Sequence, residues 1–377
     1  MSVSGYSKIV MDNWQFYDNI ANDEWSVLYF IGAIKSHIQF TKFRNNTVLK
    51  DGNTIELNFS DAVFINSTIE YNTANINSMG VLASSSVMYV YNCTFKSDIS
   101  RVGSNKPKDL PFFTGGHGGF FFISSGSELI IQTSTFENWY AKSGGCIYMI
   151  GTSRSDAYAV TFSGAEASNN GGVIFADTNR EVIINNWHFS KSAAPIGSYI
   201  FIQDGNVQIS NSNFLLSSTI TPIRMEKGHL SLQNTNFIKD TSTDYDAEPG
   251  DITGIEGGII YGSNLQYLNI ANTKFEGMTT ANKGGVLYLT SIISSSKTTA
   301  RDGDNEMLIQ NWSFTSNSAK YGGAIYIENI SYLDIESCTF YSNSAIEEDS
   351  QGGHGGAIYY SSSGLYLFDI CISFCII

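Results

Sequence analysis

Carboxylates form the densest cluster of chemically active side chains in this sequence, because six of the 35 Asp and Glu residues lie in the segment from Asp240 to Glu256. This segment contains Asp240, Asp244, Asp246, Glu248, Asp251 and Glu256. Clustered carboxylate oxygens can bind Ca²⁺, but the spacing matches no calcium-loop pattern, and a run without Lys or Arg is typical of a solvated loop. A second set, Asp302, Asp304 and Glu306, begins like an EF-hand loop, but the required sixth-position Gly is Met307. We therefore predict no metal site and no cofactor.

Two histidines have glycine pairs on both sides. His117 and His354 are each the centre of a GGHGG sequence. A histidine can act as a general acid or base only beside correctly placed carboxyl groups. The sequence shows no carboxyl groups at a suitable spacing from these two histidines. We interpret both histidines as part of a turn that enters a strand, and we predict no catalytic residue.

Cysteines and sequons give two further sets of modifiable groups. The cysteines are Cys93, Cys146, Cys338, Cys371 and Cys375. Their odd number and irregular spacing do not suggest a disulfide framework, so we expect buried thiols. The Asn-x-Ser/Thr sequons begin at Asn45, Asn58, Asn66, Asn92, Asn311 and Asn329. These sequons are acceptors only in a secretory compartment.

Composition limits the classes of partner. The chain has 377 residues, of which 42% are apolar and 15% charged, with 35 Gly and a formal net charge of −14. This acidity argues against nucleic acid and anionic membranes as partners. No window of apolar residues is long enough to span a bilayer, and the first residues show no recognisable signal peptide.

A recurring Phe organises the chain into thirteen predicted rungs. The anchors are Phe16, Phe43, Phe64, Phe95, Phe136, Phe162, Phe189, Phe214, Phe237, Phe275, Phe314, Phe340 and Phe374. The fifth and seventh residues before each anchor are almost always apolar, which is the period of two expected of a strand with one buried face.

Asn and Gly mark the corners between these strands. Seven rungs carry Asn three positions before the anchor, and Asn tolerates the left-handed backbone of a sharp corner. The corner Asn residues are Asn13, Asn92, Asn186, Asn211, Asn234, Asn272 and Asn311. We expect them to stack as a hydrogen-bonded ladder. A Gly-Gly pair begins another strand of most rungs, as in GGAIYI from Gly322.

Together these patterns predict an all-β fold, a right-handed parallel β-helix solenoid with about 13 rungs and three short strands per rung. Residues 1–377 would form a single solenoid domain. Phe136, Phe162, Phe189, Phe214 and Phe237 should stack inside it.

Insertions interrupt the repeat at four places. Three follow an anchor, between Phe95 and Gly118, Phe237 and Gly257, and Phe340 and Gly355, and so leave from one corner. A fourth, at about 290–306, leaves from another corner. Loops on a rigid scaffold often carry binding functions, but they also tolerate drift at little entropic cost, and the sequence does not decide between these two interpretations.

A family resemblance rests on FTSNSAKYGGAI at 314–325 and on FYSN and GGAI in the following rung. These segments resemble the FxxN and GGA[I/L] repeats of chlamydial polymorphic outer-membrane proteins, and similar repeats occur in protozoan surface proteins. FxxN is met at Phe16, Phe43, Phe314 and Phe340. The whole chain is similar to pectin-lyase-like β-helices. Polygalacturonases of that class combine Gly-His-Gly with paired aspartates and a basic element, which do not appear here at suitable rungs.

The resemblance implies a non-enzymatic repeat protein of the cell surface or extracellular space, membrane-associated or secreted, for adhesion, recognition or structural spacing. Glycans or other surface proteins are the expected partners. The alternative is a carbohydrate-active enzyme, a polysaccharide lyase or glycoside hydrolase, which fold analogy alone favours. Because both ends carry core residues of a rung without an evident cap, we expect this chain to be a fragment of a longer protein and to associate end to end.

Overall fold

The fold is all-β in the part of the chain that a computed structural model describes. The described residues are 1–21, 26–48, 53–74, 80–97, 117–177, 179–216, 221–239, 258–280, 282–290, 307–330, 332–348, 351–362, 369–373 and 375. The chain divides into two compact units, Met1–Phe201 and Ile202–Ile377, and each is treated separately below.

Three parallel sheets, which we name A, B and C, form the first unit. Sheet A contains Ser2–Ser4, Leu28–Ile31, Ile55–Asn58, Val81–Ser84, Phe121–Ser124, Ile147–Ile150 and Ile174–Asp177. Sheet B contains Val10–Asp12, Ser36–Gln39, Asp61–Ile65, Val87–Tyr91, Glu128–Gln132, Arg154–Tyr158 and Asn179–Asn185. Sheet C contains Gln15–Tyr17, Lys42–Arg44, Thr68–Glu70, Thr94–Lys96, Thr135–Ser143, Thr161–Asn170 and His188–Ser190. A small parallel sheet joins Ile20–Ala21, Thr47–Val48 and Thr73–Ala74.

The second unit repeats the same order of strands. Its sheet A strands are Ile223–Met225, Ile260–Ser263, Leu287–Thr290, Ile325–Glu328 and Ile358–Ser361, and Ile200–Ile202 is the sheet A strand at the unit boundary. Its sheet B strands are Gly205–Ser210, Gly228–Gln233, Leu265–Ala271, Met307–Gln310, Tyr332–Glu336 and Asp369–Ser373. Its sheet C strands are Asn213–Leu216, Asn236–Lys239, Lys274–Glu276, Ser313–Thr315 and Thr339–Tyr341. Ser318–Ala319 pairs with Ser344–Ala345, and Glu347–Glu348 forms an antiparallel ribbon with Gln351–Gly352.

Each strand of sheets A, B and C pairs in parallel with its counterpart in the neighbouring turn. Ile147–Ile150 pairs with Ile174–Asp177 at four positions, and Leu287–Thr290 pairs with Ile325–Glu328 in the same way. This register places equivalent residues of successive turns beside each other in columns. The predicted class, a parallel β-helix with three short strands per turn, is therefore confirmed.

The Phe column lies in the interior of each unit, as predicted. In the first unit, Phe162 stacks between Phe136 and Phe189, with ring centroids 4.7 and 5.6 Å away, and all three are buried. In the second unit, Phe214 and Phe237 stack at 4.7 Å. Successive rings therefore make offset-stacked contacts that add to the burial of apolar area.

One predicted anchor is wrong. Phe64 lies in sheet B, where it pairs with Ile38 and Val90. The sheet C position of that turn is Ile69, which pairs with Phe43 and Phe95. The error arises because both sheets have inward positions that accept a large apolar residue. The last predicted anchor, Phe374, lies outside the described residues.

The predicted Asn corners adopt the left-handed backbone. Asn92 has a φ of 50° and Asn234 a φ of 48°, and the other five corner residues are similar. The Asn92 amide donates to Asn66 Oδ1 at 2.7 Å, and the Asn234 amide donates to Asn211 Oδ1 at 3.3 Å. These contacts are exposed, so they stabilise the stack only modestly.

A second ladder, which is buried, uses the Asn of the FxxN motif and was not predicted. In the first unit, Asn46 Oδ1 accepts from the Asn19 backbone N–H at 3.1 Å, and its amide donates to Phe16 O at 2.9 Å. In the second unit, Asn317 Oδ1 accepts from the Met278 N–H at 3.0 Å, and the Asn317 amide donates to Asn343 Oδ1 at 2.9 Å. Each of these amides therefore satisfies polar groups of the preceding turn.

Hydroxyl and thiol side chains form a further column at the corner between sheets B and C, which is buried except at Cys375. We call it the corner column; it contains Thr41, Ser67, Cys93 and Ser134 in the first unit and Cys338 and Cys375 in the second. Ser67 Oγ accepts from the Thr41 N–H at 3.2 Å, and Ser134 Oγ accepts from the Cys93 N–H at 3.1 Å.

The Gly-Gly pairs combine a left-handed residue with a close approach of the backbone. Gly322 has a φ of 64°, which suits Gly rather than a residue with a side chain. A Cβ on Gly323 would collide with the carbonyl oxygen of Gly356 in the adjacent turn. Both glycines are therefore required where a turn enters sheet A.

Phe189→Ala should lower the free energy of unfolding by about 3–5 kcal/mol, because it removes a buried ring and leaves a cavity. The measurement is urea unfolding followed by tyrosine and tryptophan fluorescence. Phe59→Ala is the matched control, because Phe59 is 67% exposed. Equal urea midpoints for the two variants would contradict the interior assignment.

Asn317→Ala should cost about 1–3 kcal/mol, because it leaves the buried N–H of Met278 without its acceptor. Asn206→Ala serves as the control in the same unit, because Asn206 is exposed on a sheet B strand. Thermal unfolding measured by circular dichroism should separate the two. A control that loses as much stability as Asn317→Ala would show that the buried ladder contributes nothing specific.

Candidate interaction surface

The outer face of sheet A in the second unit carries a column of tyrosines. Tyr261, Tyr288, Tyr326 and Tyr359 occupy equivalent positions in successive strands, between inward Ile and Leu residues. Tyr261 and Tyr326 each meet the Tyr288 ring edge-on, with centroids 5.1 and 5.0 Å away. Tyr359 stacks on Tyr326 at 5.2 Å. We call these four residues the tyrosine column. Tyr261, Tyr288 and Tyr326 are only 8, 2 and 4% exposed, whereas Tyr359 is half-buried.

A charged pair lies against this column. Lys283 Nζ is 5.2 Å from the Tyr288 ring centroid and 4.9 Å from that of Tyr326, which are cation–π distances. Lys283 also lies 3.4 Å from Glu328 Oε2, and the Tyr288 hydroxyl donates to the same oxygen at 2.7 Å. Burial raises the pKa of Tyr326 above its usual value. These side chains form one hydrogen-bonded network on the outside of the sheet.

His354 lies in the turn before this face, as the sequence suggested. Lys283, Tyr321 and His354 are aligned through parallel bridges, directly before the glycine pairs. The His354 carbonyl oxygen accepts from the Gly322 N–H at 3.0 Å. The His354 ring lies 6.0 Å from that of Tyr321. This histidine therefore borders the tyrosine column.

The first unit has a comparable aromatic column on its sheet A. Tyr148 stacks between Phe122 and Phe175, at centroid distances of 5.1 and 4.6 Å. The His117 ring lies 4.6 Å from Tyr148, and His117 Nδ1 is buried without a hydrogen-bond partner in the described part of the chain. Burial, with a smaller contribution from the Lys142 charge, lowers the pKa of His117. His117 is thus a neutral, half-buried ring beside an aromatic column.

All four insertions adjoin sheet A strands. Residues 98–116 precede Phe121–Ser124 in the first unit. In the second unit, 240–257 precede Ile260–Ser263, and the insertion between Phe340 and Gly355 precedes Ile358–Ser361. Residues 291–306 follow Leu287–Thr290 directly. The flanking strands confirm that three insertions run from sheet C to sheet A and that the fourth runs from sheet A to sheet B.

Carboxylates on the outer face of sheet C form ion pairs. Glu70 lies 2.9 Å from Lys42 and 3.6 Å from Arg44, and Glu137 lies 2.9 Å from Lys96. The described residues contain no group of three or more His, Cys, Asp or Glu arranged to hold a metal ion. The acidic segment 240–256 and the set at 302–306 lie outside the described residues.

The six sequons lie at corners or strand ends. Asn45, Asn92 and Asn311 are exposed, and each has a left-handed backbone. Asn66 and Asn329 share that backbone and are half-buried. Acceptor side chains at three corners are therefore accessible in the folded protein.

The tyrosine column and its charged neighbours are not predicted from the sequence above. Its signal is the aromatic residue at a fixed place after the glycine pair, as in GGVLY and GGAIY. The alternation of residues along a strand identifies its buried face, but it does not compare the outward residues of successive turns. Lys283 and Glu328 lie in neighbouring turns, and only the register shows that they meet.

The three parallel sheets and their turn-by-turn register define a parallel β-helix repeat protein. The model of the Chlamydia polymorphic membrane protein repeat matches residues 313–328 and 337–361. The matched segments include both FxxN motifs of the second unit and the glycine pairs at 322 and 355, so the predicted resemblance is confirmed there. No curated protein and no solved structure matches the chain. Among the described residues, no helix has the length and apolar character needed to cross a membrane.

The imidazole of His117 should titrate below its ordinary pKa of 6.5, because burial disfavours the charged ring. The stability that depends on the neutral ring is therefore fully present above pH 6.5 and is lost as the pH falls through the lower folded pKa. The pKa can be measured by NMR of the imidazole protons, with His117→Gln for assignment. A measured pKa of 6.5 or above would contradict the effect of burial. Lys142→Gln should raise this pKa, and an unchanged or lower value would contradict the smaller contribution of the Lys142 charge.

Proposed function

We propose that this chain is a non-enzymatic repeat protein of the cell surface or extracellular space that serves adhesion or recognition. The observation that carries this proposal is the position of the insertions. In the second unit, three of the sheet A strands adjoin an insertion, and the same strands carry Tyr261, Tyr288 and Tyr359 of the tyrosine column. Loops beside a rigid sheet are a common arrangement for binding.

The matched repeat supports the proposed location, because it is named for membrane proteins and falls within this second unit. Interfaces are enriched in tyrosine and arginine, which combine apolar area with polar groups. Tyr261, Tyr288 and Tyr326 are themselves buried. The partly exposed groups of this face are Tyr359, Lys283, Glu328 and Arg224, whose guanidinium lies 4.2 Å from the Tyr261 ring centroid. Glycans or surface proteins are the partners that we propose.

The proposal predicts that shortening the insertions removes binding without unfolding the protein. Neighbouring turns supply the templates: residues 291–306 can be replaced by the sequence of 329–332, and residues 240–257 by that of 278–284. Loop shortening has little entropic cost, so the thermal midpoint should stay close to that of the original chain. Binding of labelled protein to intact cells and to a glycan array should fall at least tenfold.

Tyr341→Ala is the surface control, because Tyr341 is exposed on sheet C, away from these strands. This variant should bind like the original chain. Undiminished binding by both shortened variants would overturn recognition through the insertions. Release of new reducing ends or unsaturated uronates from pectic or related glycans would instead establish the carbohydrate-active enzyme.

A further inference from the structure

Two cysteines of the second unit occupy the same column position in successive turns. Glu336 and Ser373 are partners in sheet B, and the Ser337 N–H donates to Ser373 O at 2.9 Å. Continued by two residues beyond Glu336 and Ser373, this register aligns Cys338 with Cys375. The Cys338 N–H donates to Cys375 Sγ at 3.3 Å, which shows the same alignment directly.

We propose that Cys338 and Cys375 form a disulfide under oxidising conditions and thereby join two successive turns covalently. Neighbouring parallel strands lie about 4.8 Å apart, and disulfides accept Cα separations from about 4.4 Å upward. Equivalent corner residues therefore lie within bonding range without a change of register. The proposal concerns the folded chain in vitro and does not depend on where the protein resides.

The two sulfurs lie at the same corner of successive turns. Cys375 Sγ contacts Ile335 O at 3.6 Å and therefore faces the turn of Cys338. Cys338 Sγ contacts Ile309 O at 3.7 Å and faces the turn before, so a rotation about its χ1 brings it to Cys375. Cys93 has the same role in the first unit but has Ser67 and Ser134 as its column neighbours. Cys146 is fully buried in a different position. Among the four thiols whose side chains are described, this pair alone has a thiol as its column neighbour.

Glutathione disulfide is a suitable oxidant, and the reaction proceeds by two exchanges. The Cys375 thiolate attacks one sulfur of glutathione disulfide, which forms a mixed disulfide and expels one glutathione thiolate. The Cys338 thiolate then attacks the Cys375 sulfur and expels the second glutathione. Two thiols are oxidised, one glutathione disulfide is reduced, and the two protons end on the glutathione formed.

The partial exposure of Cys375 favours it as the first nucleophile. Burial raises the pKa of Cys338 to about 12, so the second exchange should be the slower one. At pH values below that pKa, the rate of the second exchange should rise about tenfold for each unit by which the pH is increased, because the thiolate is the nucleophile. A transient glutathione adduct should therefore precede the protein disulfide.

The test incubates the full folded chain with glutathione disulfide and follows intact mass and free thiols. Two thiols should disappear, with loss of two hydrogens, and non-reducing peptide mapping should link Cys338 to Cys375. The variants Cys338→Ser and Cys375→Ser should keep the corner hydrogen bond, as Ser134 does for Cys93, but lose the cross-link. Cys371→Ser should keep it.

Three results would overturn the proposal. They are an unchanged thiol count in the folded chain, a glutathione adduct that persists on Cys375, and a cross-linked peptide that contains Cys371. Circular dichroism of every variant establishes that the comparison is made between folded chains. Binding to cells or glycans is measured separately, so failure of the cross-link leaves the proposed function standing.

Discussion

The structure depends on one constraint: each turn must return to the same place, one strand spacing further along. Parallel pairing imposes this constraint because each strand finds its hydrogen-bonding partner in the next turn. Each strand residue then has a fixed neighbour in the next turn, and the two residues lie in the same type of environment. Phe stacks on Phe, amide on amide, and glycine on glycine, and a change in one turn is felt in the two turns beside it.

The same constraint explains why the corners are more demanding than the strands. Strand interiors accept any apolar residue of suitable size, as Ile69 shows between Phe43 and Phe95. The glycine pair before Ile325 cannot vary in this way, because the neighbouring backbone occupies the space of a side chain. Irregular sequence is therefore tolerated in the insertions, whereas the short corners keep their residue types.

Much of the fold could be predicted from the sequence because the same residue types recur in many turns, so that an irregular turn does not obscure the pattern. The Phe column, the left-handed Asn corners and the glycine pairs recur at fixed offsets, and the structure has all three. Phe64 was assigned to the wrong sheet because a single turn was interpreted by residue type rather than by position. The buried Asn ladder was missed because Asn46 and Asn317 follow the anchor, whereas attention fell on the exposed Asn before it. The network of Lys283, Tyr288 and Glu328 depends on register between turns, which local patterns do not contain.

The buried Asn ladder and the corner column run in one direction along the chain, whereas in the exposed ladder the later Asn donates to the earlier one, as Asn92 does to Asn66. Asn46 accepts from the turn before it, and Asn72 does the same for Asn46. Ser67 and Ser134 serve Thr41 and Cys93 in the same sense. A turn that has just been synthesised therefore lacks acceptors that only the following turn can supply. The buried polar groups of each turn are completed from the C-terminal side, which gives the growth of the solenoid a polarity that matches the direction of synthesis.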